Sequence, residues 1–167
     1  MAVIATDEGN AATEPIEVRG IALEDAAAVS ELSGQLGYEA SMHEIRERIE
    51  AMLPLREDHL VAVACLKGEV IGWIEAEIAR HLQSAPHALI TGLVVKEGIR
   101  SLGVGKRLCA EVEQWCLRKD VSVVRVTSRT TRERAHRFYL REGFVQIKTS
   151  AVFEKILPTN AAQASSR

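Results

Sequence analysis

Hydrophobic positions along the chain switch between a period of two and a period of about 3.6, and each switch marks an element. Ile16 to Ile21 alternates and predicts a short strand. Leu23-Glu24-Asp25 then opens a helix in which Ala26, Val29, Leu32, Ser33 and Leu36 recur on one face, and Gly37 ends it. Ser41, with Glu44 three residues on, predicts a capping box for a second helix. Met42, Ile45, Ile49 and Leu53 form that helix's apolar face, and Pro54 stops it. His59 to Leu66 and Val70 to Ala79 predict two strands joined by a turn at Lys67-Gly68-Glu69. His81 to Pro86 predicts a longer connection, and His87 to Val95 a third, mostly apolar strand.

Further on, Gly103 to Lys119 predicts a helix with Val104, Leu108, Val112, Trp115 and Cys116 on one side. Ser122 to Thr127 predicts a valine-rich strand, and about Arg132 to Glu142 a last helix ended by Gly143. Phe144 to Lys148 and Ala151 to Ile156 predict two closing strands. Hairpins and a crossover helix in one chain predict an α/β fold (an α+β mixed sheet) with helices on both faces. There is no internal repeat or linker, so one domain is expected over residues 15–157, between loose tails at 1–14 and 158–167.

Composition narrows the function. The 167 residues carry a net charge of −2 and only 4% aromatics, which disfavours an electrostatic or base-stacking nucleic-acid surface. No run is long and apolar enough to predict a membrane span. Asp7 and Glu8 near the start break the basic-then-apolar order of a signal peptide. Cys65, Cys109 and Cys116 are odd in number and form no metal-type cluster, so a reduced cytoplasmic protein without a metal is expected. All three fall in predicted core elements, and Cys109 and Cys116 read as small apolar groups.

Two stretches carry chemistry. The first is Arg100-Ser101-Leu102-Gly103-Val104-Gly105-Lys106, between a strand and a helix. Glycines let successive amides converge on an anion at a helix N-terminus, and flanking cations suit a diphosphate. Alone, the same residues equally make a glycine turn with two exposed bases. They are neither Walker A nor the dinucleotide fingerprint, because Leu108 falls where the third glycine of the latter would sit. The second stretch runs from Arg132 to Phe144. On its helix Ala135, Phe138 and Glu142 share a side, and Tyr139 lies next to it as a half-buried aromatic whose hydroxyl needs a partner.

Taken together, R-x-x-G-x-G at Arg100 to Gly105 and A-x-x-F-Y-x-x-x-G-F at Ala135 to Phe144 resemble the GNAT superfamily of N-acetyltransferases. The resemblance covers the order of elements from about Ile16 to Ile156. It implies a GNAT-like fold whose central, mostly antiparallel sheet is splayed at the cofactor strand. It also implies acetyl-CoA as co-substrate, with the diphosphate on the amides of Leu102, Gly103, Val104, Gly105 and Lys106 and near Arg100 and Ser101. The pantetheine arm would pair with Leu93, Val94 and Val95, and Arg132 and His136 would border the cofactor. Many members carry asparagine where this chain has Arg132, so Arg132 either reaches a phosphate or caps a turn. Tyr139 matches the tyrosine that protonates the leaving thiolate, with direct attack by the amine. The resemblance further implies a homodimer.

The acceptor side is less defined. A neutral amine is needed for attack, so a base or a water chain must take its proton. Between Val70 and Ala79, alternation places Trp73, Glu75 and Glu77 on one face, which makes the two carboxylates candidate bases; a solvated sheet end explains them equally well. A backbone N–H near Val94 or Val95 is the expected donor to the developing oxyanion. Tyr38 and Glu39 fall at the family's acceptor loop, and with Trp73 form the expected acceptor contacts. His81 and His87 are expected near the rim of the site, as surface residues. The rival reading is a CoA-binding sensor or interaction module without turnover.

Overall fold

Alternating side chains give each central strand one face for each of two helical layers. This computed structural model describes residues 15–35, 37–99 and 102–157. The expectations for both tails, Leu36, Arg100 and Ser101 lie outside the described residues. The chain divides into two compact units, residues 1–127 and residues 128–167.

The first unit holds a five-stranded sheet in the order β1-β2-β3-β4-β5. Its strands are β1 (Glu17–Gly20), β2 (His59–Leu66), β3 (Glu69–His81), β4 (Ser84–Val95) and β5 (Val124–Val126). The first four pair antiparallel in succession, and β5 joins β4 in parallel, as a crossover through a helix requires. That helix is α3 (Val104–Arg118). The others in this unit are α1 (Ala26–Gly34), entered through a 3-10 turn at Leu23–Asp25, and α2 (Met42–Met52), which runs into another at Leu53–Leu55. Among the described residues, no helix is long and apolar enough to cross a membrane.

The two faces of the sheet bury different layers. Ile21, Ala26, Val29, Ile45 and Ile49 close over Val63 and Cys65 of β2, with Trp73 partly buried against them. On the other face α3 lies against β2, β3 and β4, with Val104, Leu108 and Val112 fully buried. Gly72 makes that docking possible. A Cβ there would sit 2.8 Å from the Val94 carbonyl oxygen, 3.2 Å from Val104 Cγ1 and 3.3 Å from Leu108 Cδ1. The first turn of α3 is thereby drawn against the C-terminal end of β4.

Local signals hold closely. Ser41 and Glu44 form the capping box, with Glu44 N–H donating to Ser41 Oγ (3.2 Å) and Ser41 N–H to Glu44 Oε2 (2.8 Å). Gly37, at φ +79°, ends the first helix: Tyr38 N–H bonds the Ser33 carbonyl and Gly37 N–H the Gly34 carbonyl. One connection is shorter than expected. His81 to Pro86 is no long loop; β3 and β4 run on to a tight hairpin at Leu82-Gln83, with His81 paired to Ser84.

In the second unit, α4 (Glu133–Arg141) ends in a Schellman motif. Phe144 N–H donates to the Tyr139 carbonyl (3.0 Å), Gly143 N–H to that of Leu140 (3.2 Å), and Gly143 takes φ +90°. The two closing strands expected at Phe144 to Lys148 and Ala151 to Ile156 do not form. A strand requires a neighbour for its backbone groups, and Val145 to Leu157 take no backbone partner among the described residues. Val145, Ile147, Val152, Phe153 and Ile156 are exposed instead.

One buried ion pair fixes the entry to α1. Arg19 of β1 donates from both terminal nitrogens to Asp25 (2.7 and 2.8 Å), and Ala22 N–H adds a third bond to that carboxylate (2.8 Å). Arg19 foremost, and then the Ala22 amide, hold the Asp25 carboxyl below the usual carboxylate range against the opposing effect of burial. A depressed carboxyl stabilises the fold above its unfolded-state pKa, and that contribution disappears as pH falls through the folded value. Asp25→Asn should therefore lower stability near neutrality and flatten its decline below about pH 4. Urea midpoints of both proteins across that range would check this; parallel pH profiles would refute it.

Candidate active site

The site begins where β4 loses a neighbour. The parallel ladder with β5 covers only Ala88, Leu89 and Ile90, whereas β4 continues to Val95. At the same place the antiparallel ladder with β3 slips: Ile90 pairs with Ala76 and Gly92 with Glu75, so Thr91 is an extra residue. A bulge turns the strand and increases its twist, which carries the rest of β4 away from β5.

The bulge also changes which residues face the vacated side. Ala88 N–H donates to the Val123 carbonyl (2.9 Å), so before the bulge the even-numbered residues point to β5. Beyond it, Lys96 N–H donates to the Ile71 carbonyl (2.9 Å), and the Val94 carbonyl lies against Gly72. By alternation Val94 turns to β3, and the outward backbone groups belong to Leu93 and Val95. Of the three residues expected to meet the cofactor through the backbone, Leu93 and Val95 face away from β3. Val94 is buried and faces inward along the ladder.

From Val95 the chain turns through Gly98 (φ +85°) to Gly103 (φ +75°), the N-cap of α3. Gly103 brings no side chain to cap this helix. A Cβ at Gly103 would meet nothing within 4 Å, so its left-handed backbone, not crowding, is what calls for glycine there. Val104 and Gly105 are buried in the first turn, with Lys106 exposed beside them. Lys106 makes no ion pair among the described residues, whereas Lys96 is held by Glu69 across the ends of β4 and β3. An uncapped helix N-terminus with an available cation suits an anionic group such as the diphosphate of CoA.

On the face of β3 next to this edge, Trp73, Glu75 and Glu77 follow one another, each half-buried, as alternation predicted. Glu75 lies opposite Gly92, at the bulge. Glu77 is one pair further from the cofactor end, opposite His59, whose Nε2 is 3.9 Å from Glu77 Oε2. Tyr38 and Glu39 are exposed on the segment between α1 and α2, which Ser30 anchors by donating from Oγ to the Ala40 carbonyl (2.6 Å).

His81 and His87 depart from expectation. They occupy the hairpin end of β3 and β4, remote from Val95, and His87 is buried. Arg125 donates to His87 Nε2 (3.3 Å), and the two imidazoles stack at 5.5 Å. Both contacts lie within the hairpin end of the sheet. A cavity of about 340 Å³ lined by Arg56, His59 and Trp115 also opens at that end and not at the glycine loop.

In the second unit Tyr139 is half-buried on α4, with ring centroids 5.2 Å from Phe138 and 5.4 Å from Phe144. Arg132 is the N-cap, and His136 Nε2 donates to the Arg129 carbonyl (3.1 Å). The cysteines are buried and not in disulfides. Burial pushes the thiols of Cys65 and Cys116 up, which disfavours the thiolate needed for covalent catalysis. Among the described residues there is no group of three or more potential metal ligands.

Sequence reading missed Thr91 and Gly92, taking His87 to Val95 as an unbroken strand. The signal was present: a lone glycine within a strand marks a bulge or a close backbone approach.

Comparison with known proteins fits this arrangement. Residues 26–144 match the Acetyltransferase (GNAT) family. An aminoalkylphosphonate N-acetyltransferase of Salmonella typhimurium is 34% identical over 85 residues, which are 50% of this chain and 55% of that relative. The chain thus spans about half the length of that relative. Among solved structures, the aminoglycoside acetyltransferase AAC(6')-Iy, in complex with a bisubstrate analogue, gives a TM-score of 0.74 at 19% identity, covering 86% of this chain and 99% of its own. Glucosamine-6-phosphate N-acetyltransferase from Arabidopsis thaliana gives 0.72 at 21% identity, covering 84% and 100%. With the family match spanning most of the first unit and reaching through α4, the chain belongs to the GNAT acetyltransferase family.

Proposed function

We propose that this protein transfers the acetyl group of acetyl-CoA to a primary amine by direct attack. The observation that carries this reading is that Leu93, beyond the Thr91 bulge, turns its backbone away from β3 on the strand that precedes the glycine-opened N-terminus of α3. Together they provide a ladder for an extended amide-bearing arm and an anion cradle for a diphosphate. Acetyl-CoA, when bound, supplies an activated thioester. The amides from Leu102 to Lys106, with Arg100 and Ser101 before them, would hold its diphosphate, and Arg132 and His136 remain the further cofactor contacts that the family resemblance suggests. The outward N–H of Leu93 would donate to the acetyl oxygen as charge builds there. Raised thiol pKa values support direct attack over an acyl-cysteine.

Glu75 takes the ammonium proton, directly or through water, because its place at the bulge brings it nearest the splayed edge. Glu77, one pair further along, binds the cationic acceptor. Tyr38 and Glu39 border the acceptor, and Trp73 forms its floor. Tyr139 protonates the departing thiolate. Two carboxylates on one face favour an acceptor with more than one positive charge. Buried cysteines without disulfides fit a reducing cytoplasm, and the family resemblance supports a homodimer, which sedimentation would test.

Thiol release from acetyl-CoA across a panel of mono- and polyamines tests the reaction, with turnover expected for at least one polyamine. Tight acetyl-CoA binding without release for any amine would make the protein a sensor. Tyr139→Phe should lower kcat by about a hundredfold, with acetyl-CoA affinity within roughly twofold of wild type. Glu75→Gln should likewise act on kcat, whereas Glu77→Gln should raise acceptor KM. The reverse split would exchange their roles. Lys106→Ala should weaken acetyl-CoA binding by roughly tenfold with little effect on acceptor KM, as loss of a charge-assisted phosphate contact predicts.

A further inference from the structure

The Trp73 ring lies in the space that Gly92 leaves empty. A Cβ at Gly92 would sit 2.5 Å from Trp73 Cζ3 and 2.6 Å from Cη2, contacts that real side chains do not make. Trp73 itself pairs with Val94, and Gly92 pairs with Glu75, so the indole leans diagonally from its own row onto the next. It lands on the first residue after the bulge, beside Glu75, where β4 has just lost β5.

The indole has no polar anchor. Its Nε1–H is buried and has no hydrogen-bond partner among the described residues. Its other contacts are apolar, with the cluster that includes Val63 and the buried faces of α1 and α2. A buried, unsatisfied donor is destabilising, so tryptophan is not accounted for here by hydrogen bonding. What the ring does provide is shape: a rigid plate wedged between the α1–α2 layer and the backbone of β4. On the opposite face, the absence of a Cβ at Gly72 lets α3 and the Val94 carbonyl close in. The free end of β4 is thus held from both faces at adjacent rows.

We propose that Trp73 is a positioning residue for the cofactor strand. Its benzo edge, seated on Gly92, holds the Thr91 bulge so that Leu93, not Val94, turns its backbone groups to the side β5 has vacated. This rests on the reading of that edge as the acetyl-CoA dock, and it gives Trp73 a role separate from acceptor contact. Loss of the ring edge lets the bulge relax. The residues beyond it then slip, and one residue of slip turns the wrong backbone groups outward.

The test is a size exchange. Gly92→Ala drives a methyl into the ring edge, and Trp73→Phe retracts that edge and leaves a gap. Combined, the methyl occupies the space the indole vacated. Each single variant should weaken acetyl-CoA binding by roughly tenfold, and the double variant should recover most of that loss, giving strong coupling in a double-mutant cycle. Isothermal titration with acetyl-CoA reads the affinities, and thermal melts monitor stability. Additive losses in affinity, or single variants that lower Tm while leaving affinity unchanged, would overturn the proposal and leave Trp73 a packing residue. Amide exchange in the ligand-free protein gives a second reading. Val94 N–H, turned to β3, should exchange slowly in wild type, faster in each single variant, and slowly again in the double variant. Unchanged exchange in the single variants overturns the clamp whether or not acetyl-CoA binds. Failure of the wild-type protein to bind acetyl-CoA, with the exchange pattern as expected, would instead overturn the reading of the edge as its dock.

Discussion

A β-strand pairs its backbone along two edges, and β4 keeps β3 to its end while its ladder with β5 covers only Ala88, Leu89 and Ile90. Much else in the first unit follows from that. The extra residue at Thr91 ends the ladder with β5 and exchanges the set of residues that face outward. Two missing side chains then let neighbours grip the freed end. Gly72 admits the first turn of α3 on one face, and Gly92 admits the Trp73 ring on the other. Because α3 is pulled close, its uncapped N-terminus follows directly from the exposed edge. The ladder and the anion cradle are therefore consequences of one packing arrangement.

Charges divide along the same line. Arg19 with Asp25, Arg80 with Asp58 and Lys96 with Glu69 tie segments together and have their partners within the fold. The Arg19–Asp25 pair sits at the turn into α1, and the Lys96–Glu69 pair where β4 leaves β3. Glu75 and Lys106 make no ion pair among the described residues, and both adjoin the splayed end of β4. Charges left uncompensated by the fold are the ones a ligand can use, and here they have opposite signs. A cation at the helix N-terminus and carboxylates on β3 are the charges that the proposed diphosphate and amine would meet.

The sequence conveyed local structure well where caps and turns specify it. Ser41 with Glu44, Gly37 and Gly143 end or begin helices where predicted, because capping geometry needs only neighbours within a few residues. The pairing of Lys67 and Gly68 in a turn was equally legible. Errors arose where partners are distant. His81 to Pro86 looked like a loop because its polar residues and proline concealed the cross-strand pairing of His81 with Ser84. Phe144 to Ile156 alternates like a pair of strands, but alternation only states that one face seeks cover, and no backbone partner is present among the described residues. The bulge was missed because a period of two hides one inserted residue when both neighbours are apolar.

The same distinction explains why the cofactor side was readable and the acceptor side was not. Leu93 to Lys106 is one contiguous stretch in which strand, turn and helix N-terminus follow in order, so a ligand that runs along it leaves a continuous signature. The proposed acceptor face draws on Tyr38 and Glu39 between two helices and on alternate residues of β3. Which of these meet depends on register across β2, β3 and β4, and the Thr91 bulge changes that register midway. No short motif can encode a surface whose members lie on separate elements and depend on a one-residue slip in another strand. Acceptor choice in such a fold can therefore change through the pairing of strands while the donor cradle stays intact, because α3 and the end of β4 are fixed to each other through Gly72 independently of what lies over Glu75 and Glu77.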